Sequence, residues 1–204
     1  MVQTDVASTT STTRGDVGAW IFRVLLVAGA AFMIYSWFQP WWSTDIAVIK
    51  GDADMVLRPW GVEAAPQVRT NIDQSLFQMP FPQVFAGFMW VYLAVCMLAI
   101  AAGLFVTRRF RLGPINLSLA MVLILLVGLS YMMAVGLALG IGTLKASASG
   151  INFLGKGVYT DPGSDAKLKM VSDLQIGYWL SLAAGGVLTF LGLIRPLFVR
   201  KPKV

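Results

Sequence analysis

The sequence predicts an all-α membrane protein: a bundle of four transmembrane helices carrying a small extracytoplasmic cap of short β-hairpins and an amphipathic helix. Three observations predict it. Of 204 residues, 57% are hydrophobic and 13% charged, against about 25% charged in soluble domains, and a small soluble globule exposes too much surface to hide that excess. Four apolar runs reach roughly 20 residues, the length that crosses a bilayer as helix. Lys and Arg are also distributed asymmetrically about those runs, as membrane insertion requires.

The first run, about Val17 to Phe38, carries Arg23 as its only charge. A cleaved secretory signal would start basic and end in small residues. Here Asp5 and Asp16 stand beside Arg14, and the core ends in Tyr35-Ser36-Trp37-Phe38-Gln39-Pro40-Trp41-Trp42. Trp and Tyr favour the membrane–water boundary, so this is an aromatic belt at a helix end. Residues 1–16 are rich in Ser and Thr and poor in apolar side chains, a composition that predicts a disordered tail.

Residues 39–83 form a first outer loop, long enough to hold structure of its own. Asp45–Ile49 and Met55–Leu57 read as strands about a turn at Lys50–Asp54. From Pro66 onward Val68, Ile72, Leu76 and Met79 recur at helical spacing, which predicts a short amphipathic helix.

The second span, residues 84–106, and the third, 114–143, contain no charge. The turn between them, residues 107–113, is basic, with Arg108, Arg109 and Arg111 before Gly113-Pro114. Residues 144–173 form a shorter, polar second outer loop. Phe153–Tyr159 reads as a small hairpin and Asp161-Pro162-Gly163 as a turn. Ser164 suits an N-cap, which starts the fourth helix near Asp165, ahead of a span at residues 174–194. A basic tail, residues 195–204, follows.

Charge sets the direction. The amino end, the 107–113 turn and the carboxyl tail together hold nine basic residues and two acidic ones, while the two long loops hold seven and eight. The basic side belongs in the cytoplasm, so both termini are expected there, in the cell membrane. The same charges suit anionic lipid; membrane lipids are expected partners and nucleic acid is not.

The composition excludes much chemistry. There is no histidine and one cysteine, Cys96, lies inside an apolar run. Haem, iron–sulfur and histidine-dependent acid–base chemistry lack their usual ligands and bases. The thiol has only Leu93, Ala99, Tyr92 and Ile100 at helical spacing, an environment that leaves it inert. Asp52 and Asp54 supply too few oxygens for Ca²⁺ or Mg²⁺, and Gly155-Lys156-Gly157 lacks the phosphate-loop pattern. No catalytic, cofactor or metal site is expected.

Charge-free spans also argue against proton relays and voltage sensing, which need ionisable groups at membrane depth. Ser118, Ser130, Tyr131 and Thr143 are the residues from which a neutral-solute pathway would be built, although such hydroxyls usually bond their own helix backbone.

Small residues recur every fourth position in the fourth span, at Gly177, Ser181, Gly185 and Thr189. Gly136 and Gly140 do so in the third, and Ala99 and Gly103 in the second. This spacing lets helix backbones approach in lipid, chiefly within the bundle. Gly177, Ser181 and Gly185 nevertheless join Trp41, Trp42 and Trp60 as candidate contacts to a partner, Trp60 because it stands far from any span end.

The layout resembles the claudin-like tetraspan families: four spans, ends inside, a larger first outer loop with strands and a smaller second. Those families carry Gly-Leu-Trp and then two cysteines in that loop, where this chain has Arg58-Pro59-Trp60-Gly61 and no cysteine. The resemblance implies architecture and no activity.

The expected function is that of a non-catalytic integral membrane subunit that scaffolds, anchors or stabilises a larger complex of integral membrane subunits. Two alternatives come from other classes: a small channel or carrier for a neutral or apolar solute, and a membrane enzyme using the outer carboxylates Asp52, Asp54, Glu63 and Asp73.

Overall fold

The computed structural model describes residues 10–46, 55–64, 83–106, 108–112, 115–148, 152–160 and 167–199. Its elements in chain order are α1 (Thr10–Phe38), β1 (Trp42–Ile46), β2 (Met55–Arg58), β3 (Gly61–Ala64), α2 (Gln83–Phe105), β4 (Arg109–Leu112), β5 (Ile115–Ser118), α3 (Leu119–Ala148), β6 (Gly155–Thr160), β7 (Lys167–Leu174) and α4 (Ile176–Phe198).

Among the described residues, four helices are long and apolar enough to cross a membrane: Val17–Phe38, Gly87–Phe105, Leu119–Leu144 and Ile176–Phe198. At 1.5 Å per residue they rise about 28 to 39 Å, against a hydrocarbon core of about 30 Å. The helix α4 packs against α3 and α1, and α2 packs against α3 and more lightly against α1. All four contribute to one core, with Leu26, Met33 and Trp37 from α1, Leu93 and Ile100 from α2, Ile124 and Tyr131 from α3, and Leu188 from α4. Where α3 crosses α4, two glycines make the approach possible. A Cβ on Gly185 would stand 2.5 Å from Met132 Cγ and 3.0 Å from Gly128 O, and one on Gly128 would overlap Thr189 Oγ1.

The chain is mostly helical, as expected, and the strands of its two long loops form a small antiparallel sheet rather than isolated hairpins. Five strands, all antiparallel, form one sheet in the order β3-β2-β1-β7-β6 at one end of the bundle. The two long loops were expected to form separate hairpins. Instead β1 of the first pairs with β7 of the second, Trp42 opposite Leu174 and Thr44 opposite Ser172. Periodicity reports that a segment is a strand but not which strand lies beside it.

Several boundaries move. Residues 167–174 were expected to begin the fourth helix, yet they form β7. Leu168, Met170, Ser172 and Leu174 alternate with more exposed neighbours, the two-residue period of a strand. Phe153–Tyr159 is no hairpin by itself; most of it is β6, and its partner is β7. At the opposite end the expected turn and the first residues of the third span form the hairpin β4–β5, Arg109 opposite Ser118. There α3 starts five residues late, at Leu119, where Ser118 Oγ accepts the Met121 N–H at 3.1 Å as an N-cap. Residues 10–16, read as tail, are helical, because extending a formed helix costs far less than nucleating one. The first predicted strand lies three residues earlier, at Trp42–Ile46, which takes Trp42 out of the belt. The turn at 50–54, the amphipathic helix at 66–79, Asp161-Pro162-Gly163 and Ser164 fall outside the described residues, as do Asp52, Asp54 and Asp73.

Candidate functional site

Among the described residues, a dense set of hydrogen bonds and close approaches gathers at the junction where α1 ends, β1 begins and α4 starts. Its origin is Pro40, which has no N–H to give to the Ser36 carbonyl, so α1 stops at Phe38. That carbonyl instead accepts from Gln39 N at 3.3 Å and Ser181 Oγ at 3.5 Å. The next carbonyls turn toward α4: Pro40 O accepts Gly177 N–H at 2.9 Å and Trp41 O accepts Gln175 N–H at 3.0 Å. Gly177 is among the first residues of the helix, whose N–H groups have no partner within it. The N-cap residue Gln175 offers no side-chain cap; its Nε2 donates to Ser43 Oγ at 2.6 Å. A Cβ on Gly177 would overlap Pro40 O and stand 2.7 Å from Gln39 O.

Below this backbone seam lies a closed set of hydroxyls. Ser36 Oγ donates to Met33 O at 2.8 Å, and Tyr131 OH donates to Ser181 Oγ at 3.1 Å. Tyr131 OH also lies 3.1 Å from Ser36 Oγ. Ser36, Tyr131 and Ser181 have no exposed surface, and each O–H proton has an acceptor. The set ties α1, α3 and α4 at one level.

Aromatic rings surround it. Trp37 stacks on Tyr131 at 6.3 Å, meets Trp41 edge-on at 6.4 Å and tilts against Trp90 at 6.3 Å. The buried Nε1 atoms of Trp37 and Trp41 have no hydrogen-bond partner among the described residues, each a cost of about 1–3 kcal/mol. Trp42 stacks on Phe153 at 5.0 Å and 3°, and its indole donates to Phe153 O at 2.6 Å. Phe153 in turn covers Gly142, where a Cβ would come 2.5 Å from the ring.

Trp60 sits on the β2–β3 turn and packs back onto the helices, 5.5 Å from Phe38 and 5.3 Å from Trp90. It thus bridges the end of α1 and the start of α2. Arg58 holds the turn: Nη1 donates to Phe38 O at 2.5 Å and Nε to Glu63 Oε2 at 2.9 Å. A cation on the last carbonyls of α1 also suits the negative end of the helix dipole.

Most residues assigned to partner contact are therefore spent inside the chain. Trp41, Trp42, Gly177, Ser181 and Gly185 are buried and Trp60 is half-buried. The stripe in α4 meets the α1–β1 link and α3. Gly136 and Gly140 differ: a Cβ on either would meet nothing within 4 Å. Of the four hydroxyl residues, Tyr131 belongs to the buried hydroxyl set and the other three bond elsewhere. Ser130 bonds Val127 O and Tyr92 OH, Thr143 is exposed and bonds Leu139 O, and Ser118 lies at the hairpin end. Glu63 is exposed and paired with Arg58, and Cys96 is buried in the core.

Sequence reasoning missed Arg195, assigned to the basic tail. The helix runs through it and Pro196 to Phe198. Arg195 is 8% exposed, donates from Nη1 to Ser118 Oγ at 2.6 Å and lies over the Phe22 ring at 5.8 Å. Its partner Ser118 lies 77 positions away, so no local signal marks the contact.

This arrangement fixes geometry. Its members are hydroxyls, indoles and backbone amides, and among the described residues no three of His, Cys, Asp and Glu gather as metal ligands would. Comparison with known proteins finds no matching family, and no curated protein matches the chain in sequence.

Proposed function

We propose that the chain is a multi-pass protein of the cell membrane, with both termini and the β4–β5 hairpin cytoplasmic and the five-stranded sheet outside. The supporting observation is its inverted polarity. Ser36 and Ser181 are fully buried, while Leu98, Leu144 and Leu197 are 69%, 73% and 79% exposed. Water disfavours such an exterior, and lipid suits it. Exposed aromatics mark two levels, Trp20 and Phe105 toward the hairpin and Tyr35, Phe38, Trp90 and Trp179 toward the sheet, as interfacial belts do. The basic residues at the hairpin end support the direction.

Within that membrane the protein acts as a non-catalytic subunit that anchors or stabilises a larger complex. The interior supports this reading: its buried serine and tyrosine hydroxyls, Ser36, Tyr131 and Ser181, tie helices to one another. A packed bundle with a five-stranded sheet at one end is suited to presenting a surface. The helix α3 offers one, with Gly136 and Gly140 open between the exposed side chains of Met133, Leu137 and Ile141, the small-residue spacing by which helices associate in lipid.

Two measurements test the reading. Single cysteines replacing Lys156 and Arg108, in a Cys96→Ala background, should react with an impermeant thiol reagent from outside and only after permeabilisation, respectively; the reverse pattern overturns the orientation. Gentle extraction at native abundance should yield the chain with stoichiometric membrane partners, and a chain that always runs alone overturns the subunit role.

A further inference from the structure

Beside the sheet-end aromatic level lies a group of side chains whose charges match one class of lipid. The exposed rings of Phe38 and Trp90, 48% and 43% accessible, lie 6.0 Å apart, with Trp60 against both. Above them stands the Arg58 guanidinium, 5.8 Å from the Trp60 ring. Two of its nitrogens are engaged, Nε with Glu63 and Nη1 with Phe38 O. That grip orients the guanidinium plane and leaves the Nη2 amino group without a hydrogen bond among the described residues. Glu63, its side chain 55% exposed, bonds Arg58 through Oε2 and leaves Oε1 for another donor.

We propose that this corner binds the headgroup of a zwitterionic aminophospholipid, the phosphate on Arg58 and the ammonium on Glu63, with the lipid's upper chain region against Phe38 and Trp90. A guanidinium favours phosphate oxygens through charge-assisted bonds, and a carboxylate beside it accepts an ammonium but repels a purely anionic headgroup. The ion pair alone would serve as a surface contact of little energetic weight. Its fixed orientation beside lipid-level rings makes it a receptor of matching polarity. The inference rests on the membrane placement proposed above.

The test reconstitutes the full chain in vesicles of equal phosphatidylethanolamine and phosphatidylglycerol, extracts it mildly and counts retained lipids by native mass spectrometry. The wild type should retain phosphatidylethanolamine in about two- to fivefold excess, the range of an exposed ion pair. Glu63→Gln removes the ammonium acceptor and should bring the ratio to parity or below. Arg58→Lys keeps the charge but loses the planar fork and should lower retention of both lipids. No preference in the wild type, or an unchanged ratio in Glu63→Gln, overturns the site. A chain that stays monodisperse in buffer without detergent or lipid overturns the membrane placement instead, so the two failures are distinguishable.

Discussion

Tyr131 of α3 donates to Ser181 of α4 at 3.1 Å, in a position where neither residue has exposed surface. The same hydroxyl lies 3.1 Å from Ser36 of α1, so one phenol binds three helices at the level where the sheet begins. Tyr131→Phe should keep the ring stacked on Trp37 and remove only the hydroxyl. Hydrogen bonds between helices in lipid contribute about 0.6 kcal/mol on average, and an orphaned buried partner adds to the loss. A destabilisation of about 0.5–2 kcal/mol is expected in denaturant titration of the micelle-embedded protein. No change would mean the hydroxyl set contributes nothing to stability.

Gly177 tests the seam above that node. Gly177→Ala places a methyl on Pro40 O and should destabilise by about 1–3 kcal/mol, the range for overpacking. Gly186, nearby on the same helix, has nothing within 4 Å of a Cβ. Gly186→Ala should be neutral or stabilising by up to about 1 kcal/mol through helix propensity. Thermal unfolding of both variants in one detergent makes the comparison, and equal effects would contradict the close approach.

The merger of the two loops into one sheet predicts a cross-link. Thr44 and Ser172 are direct partners, with Ser172 Oγ donating to Thr44 Oγ1 at 2.8 Å. Cysteines at both positions, with Cys96 replaced by Ala, should oxidise to a disulfide, because cross-strand neighbours fall within bridging distance. After cleavage at a protease site placed between α2 and α3, the halves should stay joined until reduced. Separation without reductant would refute the β1–β7 pairing.

The open face of α3 separates an internal role from an external one. A Cβ on Gly136 or Gly140 has no atom within 4 Å among the described residues, so Gly136→Leu with Gly140→Leu should change stability by less than about 0.5 kcal/mol, as at ordinary surface sites. Co-extraction of partner subunits should fall. Full retention of partners would move the docking face elsewhere, and loss of fold would contradict the exposure of that face.

Much of the helical layout was legible because a long apolar run is a local property. The charge-free stretch Val84–Val106 differs by a residue at each end from α2, Gln83–Phe105, and the first span ends at Phe38 as expected since Pro40 enforces it. Strand character was legible in part for the same reason: Met55–Leu57 falls within β2. The junction was not legible. Ser36 reads as one more serine in a belt, and nothing local distinguishes it from Ser130, which bonds within the α2–α3 pair.

Chain-local chemistry thus settled how many long apolar helices form, roughly where each one lies and where the strand-forming segments sit. These follow from hydropathy, proline and two-residue alternation within single segments. Tertiary structure decided what those segments meet: that β1 joins β7, that Trp42 covers Phe153, that the small residues of α4 face inward, and that Arg195 is buried beside Ser118. Each depends on the proximity of groups distant in sequence, such as Ser36 and Tyr131 across 95 positions. A hydrogen bond or a missing Cβ acquires its value from the atom opposite, which periodicity along one segment does not name.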